Sequence, residues 1–188
     1  MQRAGARLRA HAHHPLPAMV ASYYASVMAI DQGTFRAAMG QMASGVTIVT
    51  MRSGGEDHGF TASSFTSLSL DPMLVLVCVV KGQRSHVLLE EAGHYAVNIL
   101  AGPQKPLGMR FADPKLVDRF AGLEVARAET GAPILADSLA WVDCRLRDVF
   151  PGGDHSIFVG EVLAGQAPGG LDALVYYNRS WGRFARDE

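Results

Sequence analysis

The amino-acid sequence predicts a mainly β protein, a closed Greek-key-type barrel with a few peripheral α-helices. Three observations lead there. Strand-like runs outnumber helical ones, they follow one another at hairpin spacing, and the regular β-α alternation of a doubly wound sheet is absent. Its 188 residues suit one well-filled core, and no internal repeat or low-complexity linker divides them. The predicted domain is 31–188, preceded by an extension, 1–30, whose basic and histidine-rich start carries no carboxylate before Asp31. That extension is expected to be disordered, or to reflect a start assigned upstream of Met28.

Asp31 reads as a helix N-cap, with Phe35, Met39 and Met42 on one face and Gly45 as the stop. VTIVTM (Val46–Met51) is a β-branched strand, and SGGEDHG (Ser53–Gly59) is a turn after which Phe60 onward pairs back. Asp71-Pro72 turns the chain into MLVLVCVV (Met73–Val80). This unbroken apolar run is too short for a typical helix and reads as a strand buried on both faces. Ser85 caps a short helix that Gly93 ends, and HYAVNIL (His94–Leu100) is a strand. Residues Gly102–Gly122 form short helices and loops, with Phe111 and Phe120 turned inward. AWVDCRLRDVF (Ala140–Phe150) alternates Val142, Cys144 and Leu146 with Asp143, Arg145 and Arg147, a strand with one wet side. PGGDH (Pro151–His155) turns into IFVGEVLAG, and LVYYNR (Leu174–Arg179) is the last strand.

The formal net charge of −1 gives no field for nucleic acid or a membrane surface. No apolar run reaches the ~18–20 residues of a membrane span. Cys78 and Cys144 lack metal-ligand spacing and read as buried hydrophobes of a reducing, cytoplasmic compartment, with a single disulfide as the other reading. No metal site is expected. Phosphate-loop, dinucleotide-fingerprint, His-Glu-x-x-His and Gly-x-Ser-x-Gly motifs are all missing, which leaves nucleophilic and metal-assisted hydrolysis without support.

Three segments can carry chemistry. In Thr61-Ala62-Ser63-Ser64-Phe65-Thr66-Ser67-Leu68-Ser69, six of nine residues bear hydroxyls suited to a phosphate or a ring edge. A Ser/Thr-rich edge strand facing water explains the same composition. Lys81-Gly82-Gln83-Arg84-Ser85-His86 joins a strand to a helix N-terminus and combines charge with free N–H groups, a phosphate cradle or an ordinary capped turn. In Gly152-Gly153-Asp154-His155, Asp154 can orient the ring of His155 against a flat ligand. A hairpin turn with a surface histidine is the alternative.

The order of these segments makes the chain resemble the short-chain flavin reductases, which form an FMN-binding split barrel and serve two-component monooxygenases. FRAAMGQMASGVTIVT, GFTASSFTSLSLDPMLVLVCV, HYAVNIL, DRFAG, GGDHSIFVGEV and LVYYNRSWG follow in family order from about Gln32 to Phe184. The resemblance implies a Greek-key split β-barrel, a homodimer, and NADH- or NADPH-driven reduction of FMN or FAD for a flavin-dependent monooxygenase partner. It implies flavin contacts at Thr61, Ala62, Ser63, Ser64 and Phe65, less firmly at Ser67, and near the flavin at Tyr176. It assigns Lys81, Arg84, Ser85 and His86 to flavin phosphate, and His155 with Asp154 behind it to the nicotinamide. Ser63 stands where many relatives carry Asn, and KGQRSH replaces a more Ser-rich turn, which shifts the phosphate contacts towards Arg84 and Lys81. Two other functions fit such a barrel: direct action on another substrate, or flavin binding without catalysis.

Overall fold

The structure, a computed structural model, describes residues 19 and 30–184. It comprises two units, Met1–Met39 and Gly40–Glu188. The expected extension, 1–30, lies outside the described residues except for positions 19 and 30. Helix α1 (Gln32–Gly40) is capped as anticipated, the Thr34 N–H donating to Asp31 Oδ1 at 2.7 Å. This bond lowers the Asp31 carboxyl below its ordinary range. The helix stops at Gly40 rather than Gly45, so Met42 falls outside it. The reason is a competing pairing: Ser44 and Gly45 form a short strand, β1 (Ser44–Gly45), against Tyr176 and Val175.

The second unit is built on one antiparallel sheet. Its strands are β2 (Thr47–Ser53), β3 (Glu56–Ala62), β4 (Thr66–Leu70), β5 (Met73–Val80), β6 (His94–Ile99), β9 (Ala140–Gly152) and β10 (His155–Gln166). They run in the order β3-β2-β6-β9-β10-β5-β4. The β2–β3 turn is only Gly54-Gly55, both at positive φ (60° and 84°), so β3 starts at Glu56, earlier than Phe60. A small hairpin, β7 (Val125–Arg127) with β8 (Pro133–Leu135), is additional to the sequence reading. So is β12 (Ser180–Arg183), which pairs with β11 (Leu174–Tyr177), so LVYYNR is not the final strand. Two further helices, α2 (Arg84–Ala92) and α3 (Lys105–Ala112), complete the unit.

The architecture is mainly β, and the barrel is split rather than closed. Its outermost strands, β3 and β4, are consecutive in the chain yet lie at opposite edges of the sheet, and no ladder joins them. Only residues 63–65 link them, so the chain turns across the seam within three residues.

Among the described strands β2 and β6 are filled on both faces, and β5 is not. Residues Thr47–Met51 of β2 are all buried, with Val49 and Met51 in the barrel interior and Ile48 on the opposite face against Leu100, Phe111 and Leu174. In β5 only Val75, Val77 and Val79 are buried, because the barrel interior covers one face and the other stays partly open. Strand β9 keeps its expected wet side at Arg145 and Arg147 but not at Asp143. Asp143 is buried, and its carboxylate accepts from the Thr130 N–H at 2.8 Å and from the Thr130 hydroxyl. The segment between β7 and β8 covers that position, a long-range contact that local alternation does not encode.

Leu89 of α2 plugs the barrel beside Tyr95, Val97 and Phe158, and burial of such a side chain contributes about 2 kcal/mol. Gly93 ends α2 as expected, at φ 66°, its N–H donating to Leu89 O at 3.3 Å. The cap at the other end is Gln83, with no side-chain bond, whereas Ser85 sits inside the first turn. Phe111 and Phe120 do turn inward and meet edge to face, centroids 5.0 Å apart.

Cys78 and Cys144 are free thiols. Burial first, and then the Asp143 charge, push the Cys144 thiol up to about 12. Gly160 makes room for its neighbours: a Cβ there would lie 2.7 Å from Tyr95 Cζ and 2.9 Å from Cys144 Cβ. Gly160→Ala should therefore destabilise the domain by about 1–3 kcal/mol. Urea denaturation checks this, and an unchanged midpoint would contradict the close packing.

Candidate active site

The hydroxyl-rich stretch lies at the seam. Thr61, near the end of β3, donates its hydroxyl to Gly108 O of α3 at 2.7 Å. Ala62 points into the core. Ser63 is exposed, and Phe65 is half-buried against the core. Ser64 holds β5: its Oγ donates to Cys78 O at 2.9 Å and accepts from Cys78 N–H at 3.2 Å. In the β4–β5 register Thr66 faces Leu76, so Ser64 occupies the position that would face Cys78 had the ladder continued. Its side chain supplies the two bonds that the backbone no longer makes.

Beyond Cys78, β5 ends beside the glycine-rich turn. His155 pairs with Val80, the Lys81 N–H donates to Asp154 O at 2.9 Å, and Lys81 Nζ donates to Gly153 O at 2.8 Å. Asp154 orients the imidazole as anticipated, its Oδ1 lying 2.7 Å from His155 Nδ1. That hydrogen bond, and then the ring's charge, hold the exposed Asp154 carboxyl below its usual range. His155 stays about one-third accessible, 38% by side chain, so its ring remains open to a ligand.

A cleft of about 660 Å3 lies along the β3 edge. Thr61, Gln83, Arg84, Ser85 and Arg119 line it, with Phe60 and Phe111 among its apolar walls. One end is the N-terminus of α2, which has no side-chain cap and no acidic residue in its first turn, so its N–H groups favour an anion. Arg84 and Arg119 form no ion pair among the described residues. Asp57, also on the wall, is held by two arginines, Arg127 at 2.7 Å and Arg52 at 2.8 Å. The lining thus sets Arg84 and Arg119 against Asp57 and Asp118, with Arg84 the cation beside the free N–H groups of α2, together with flat apolar surfaces. This donor set fits an aromatic ring system bearing a phosphate.

Thr61, Arg84 and Ser85 thus share one cleft, while Lys81, Asp154 and His155 share one pair of turns. His86 turns away from the cleft, its Nε2 lying 2.9 Å from Ser156 Oγ. Ser67 sits exposed on the β4 edge strand, opposite Val75. Tyr176 stacks edge to face on Trp181 at 5.5 Å, and Trp181 in turn lies against Gly108. Of the predicted site residues only Thr61, Arg84 and Ser85 line the cleft; residues 62–65, Ser67, Lys81, Asp154, His155 and Tyr176 do not. Sequence reasoning missed Arg119, whose guanidinium bonds Gly59 O at 2.8 Å and Asp113 O at 2.7 Å. The only signal was its place in DRFAG, which says nothing of a partner 60 residues away.

A split barrel whose open β3 edge carries a cleft with aromatic walls, an arginine and a helix N-terminus offers a place for a flat ligand that bears a phosphate. Residues 39–185 match the model of the flavin reductase like domain, and the chain belongs to that family. It is similar to the reductase subunit of a stachydrine N-demethylase from Rhizobium meliloti, 45% identical over 147 residues, covering 78% of this chain and 63% of the relative. The reductase component of a 4-nitrophenol 4-monooxygenase/4-nitrocatechol 2-monooxygenase from Rhodococcus opacus is 41% identical, over 82% of each chain. Among solved structures, the NADH:FAD oxidoreductase of Streptomyces globisporus, in complex with NAD and FAD fragments, superposes with a TM-score of 0.78. It is 36% identical, covering 84% of this chain and 94% of that one.

Asp57 gives the site a pH signature. Burial raises its pKa, but the bonds and charges of Arg127 and Arg52 outweigh burial and lower it. A depressed carboxyl stabilises the fold above its unfolded pKa of ~3.9, and that stability is lost as pH falls through the folded value. At this half-open position solvent screening limits the gain to about 1 kcal/mol. Asp57→Asn should therefore be less stable than the parent at neutral pH, with the difference shrinking below pH ~4. Thermal melts across pH check this, and a difference that grows towards low pH would contradict the assignment.

Proposed function

We propose that this chain is an NAD(P)H:flavin oxidoreductase that reduces FMN or FAD and passes the reduced flavin to a partner monooxygenase. One observation carries the reading: Thr61, Arg84 and Ser85, distant in sequence, line one cleft, while Lys81 ties the turn of residues 153–155 to the end of β5. The names of the similar proteins support the same chemistry and the same kind of partner.

When both ligands are bound, the nicotinamide and the flavin supply the reaction itself, a hydride passing from C4 of the first to N5 of the second. The protein's task is to hold two flat rings together. Arg84, Ser85 and the N-terminus of α2 would hold the flavin phosphate, with Lys81 at the neighbouring turn. Residues 61–65 would meet the ring edge, and His155, steadied by Asp154, would position the nicotinamide. That transfer requires no acid–base pair from the protein.

The reading includes a homodimer in the cytoplasm. Support for pairing comes from the β4–β5 hairpin, where Leu68, Leu70 and Met73 are exposed, Leu70 at 91%. Two free thiols suit a reducing compartment. Among the described residues no helix is long and apolar enough to cross a membrane.

The first test is loss of nicotinamide absorbance with FMN, FAD or no added flavin. Rapid flavin-dependent oxidation is expected, and silence with every pair despite measurable flavin binding would leave a binding module. Two variants then separate the roles. Arg84→Ala should weaken flavin binding by about tenfold, the loss of one charge-assisted contact, in a fluorescence titration. His155→Ala should raise the nicotinamide KM with flavin affinity nearly intact, and an unchanged KM would remove its assignment.

A further inference from the structure

The turn that carries His155 is fastened from two directions. Lys81 holds Gly153 O and Asp154 O from the end of β5. From the other side, His86 in the first turn of α2 reaches Ser156 Oγ at 2.9 Å. Successive strand residues face opposite ways, so Ser156 points inward to α2 while His155 points outward. Ser156 is buried, and His86 is nearly so. The imidazole is set in place by Phe158, edge to face at 5.0 Å, and by Glu90, whose carboxylate lies 3.9 Å from Nδ1.

We propose that His86 is a positioning residue. Through Ser156 it fixes the start of β10, and hence the His155 ring, relative to Arg84 and Ser85, its neighbours in the same turn of α2. The flavin-phosphate turn and the nicotinamide turn then behave as one body, and the His86–Ser156 bond sets nicotinamide affinity without touching either ligand. This rests on the proposed roles of residues 81–85 and 153–155.

The test uses the full chain with His86→Ala, Ser156→Ala, the double variant and His86→Gln, whose amide can still donate to Ser156 Oγ. Nicotinamide KM and kcat are measured at saturating flavin, flavin affinity by fluorescence titration, and folding by thermal melt. Each single alanine variant should raise the nicotinamide KM by about two- to tenfold, the worth of one hydrogen bond. The double variant should be no worse than either single one, flavin affinity should change less than about twofold, and His86→Gln should restore most of the parental KM.

A general loss of stability would lower kcat and flavin affinity as well as raising KM. Additive effects, an unchanged KM, or a loss of flavin affinity in His86→Ala would overturn the proposal, the last by making His86 a phosphate contact. If His86→Ala does not fold, the smaller change Ser156→Ala decides the question alone. His155→Ala separates the two levels. If it leaves KM unchanged, the nicotinamide reading itself fails; if it raises KM and Ser156→Ala does not, only the coupling fails.

Discussion

The Ser64 hydroxyl makes two hydrogen bonds with one residue, giving a proton to Cys78 O and taking one from Cys78 N–H. It does so where β4 has stopped pairing and β5 still needs a partner. Leaving both backbone groups unpaired would cost about 1–3 kcal/mol each where they are shielded from water. With the side chain in place, the backbone of residues 63–65 need not run as a strand, and the chain can cross from one edge of the sheet to the other. Ser63 stands exposed at that crossing.

The rest of the site is layered on this arrangement. Because β5 runs on past the seam, its end meets the β9–β10 turn, where Lys81 spans to Gly153 and His155 pairs with Val80. Because β3 ends at the seam, its outer edge is free to form a wall of the cleft, with α3 anchored to it through Thr61. Strand β2, buried on both faces, joins the barrel interior to the second apolar cluster and gives these parts a rigid backing. Packing in this unit thus decides where charge is presented.

Local signals in the sequence were read well where the physics is local. The Asp31 cap, the Gly93 stop, the glycine turns and the Asp154–His155 pair all rest on contacts within a few residues. The family order of motifs supplied the split barrel, which hairpin spacing alone read as closed. Long-range coverage was hidden. Asp143 alternates like a solvent-facing residue, yet Thr130 receives its carboxylate; Arg119 resembles a surface charge, yet it binds Gly59. The resemblance placed His86 with the flavin-phosphate turn, and only the fold brings Ser156, 70 residues on, beneath it. Nothing in local composition distinguishes these partners.

A sheet with two unpaired edges also faces a hazard that a closed barrel avoids, because each bare edge is a template on which another chain can add a strand. The two edges are guarded differently. On β3, Arg119 occupies the Gly59 carbonyl, and α3 lies against the same strand. On β4, the strand is only five residues long and breaks register between Ser67 and Ser69, so it offers an incoming strand little continuous ladder. The open seam is thereby kept from seeding open-ended sheet growth.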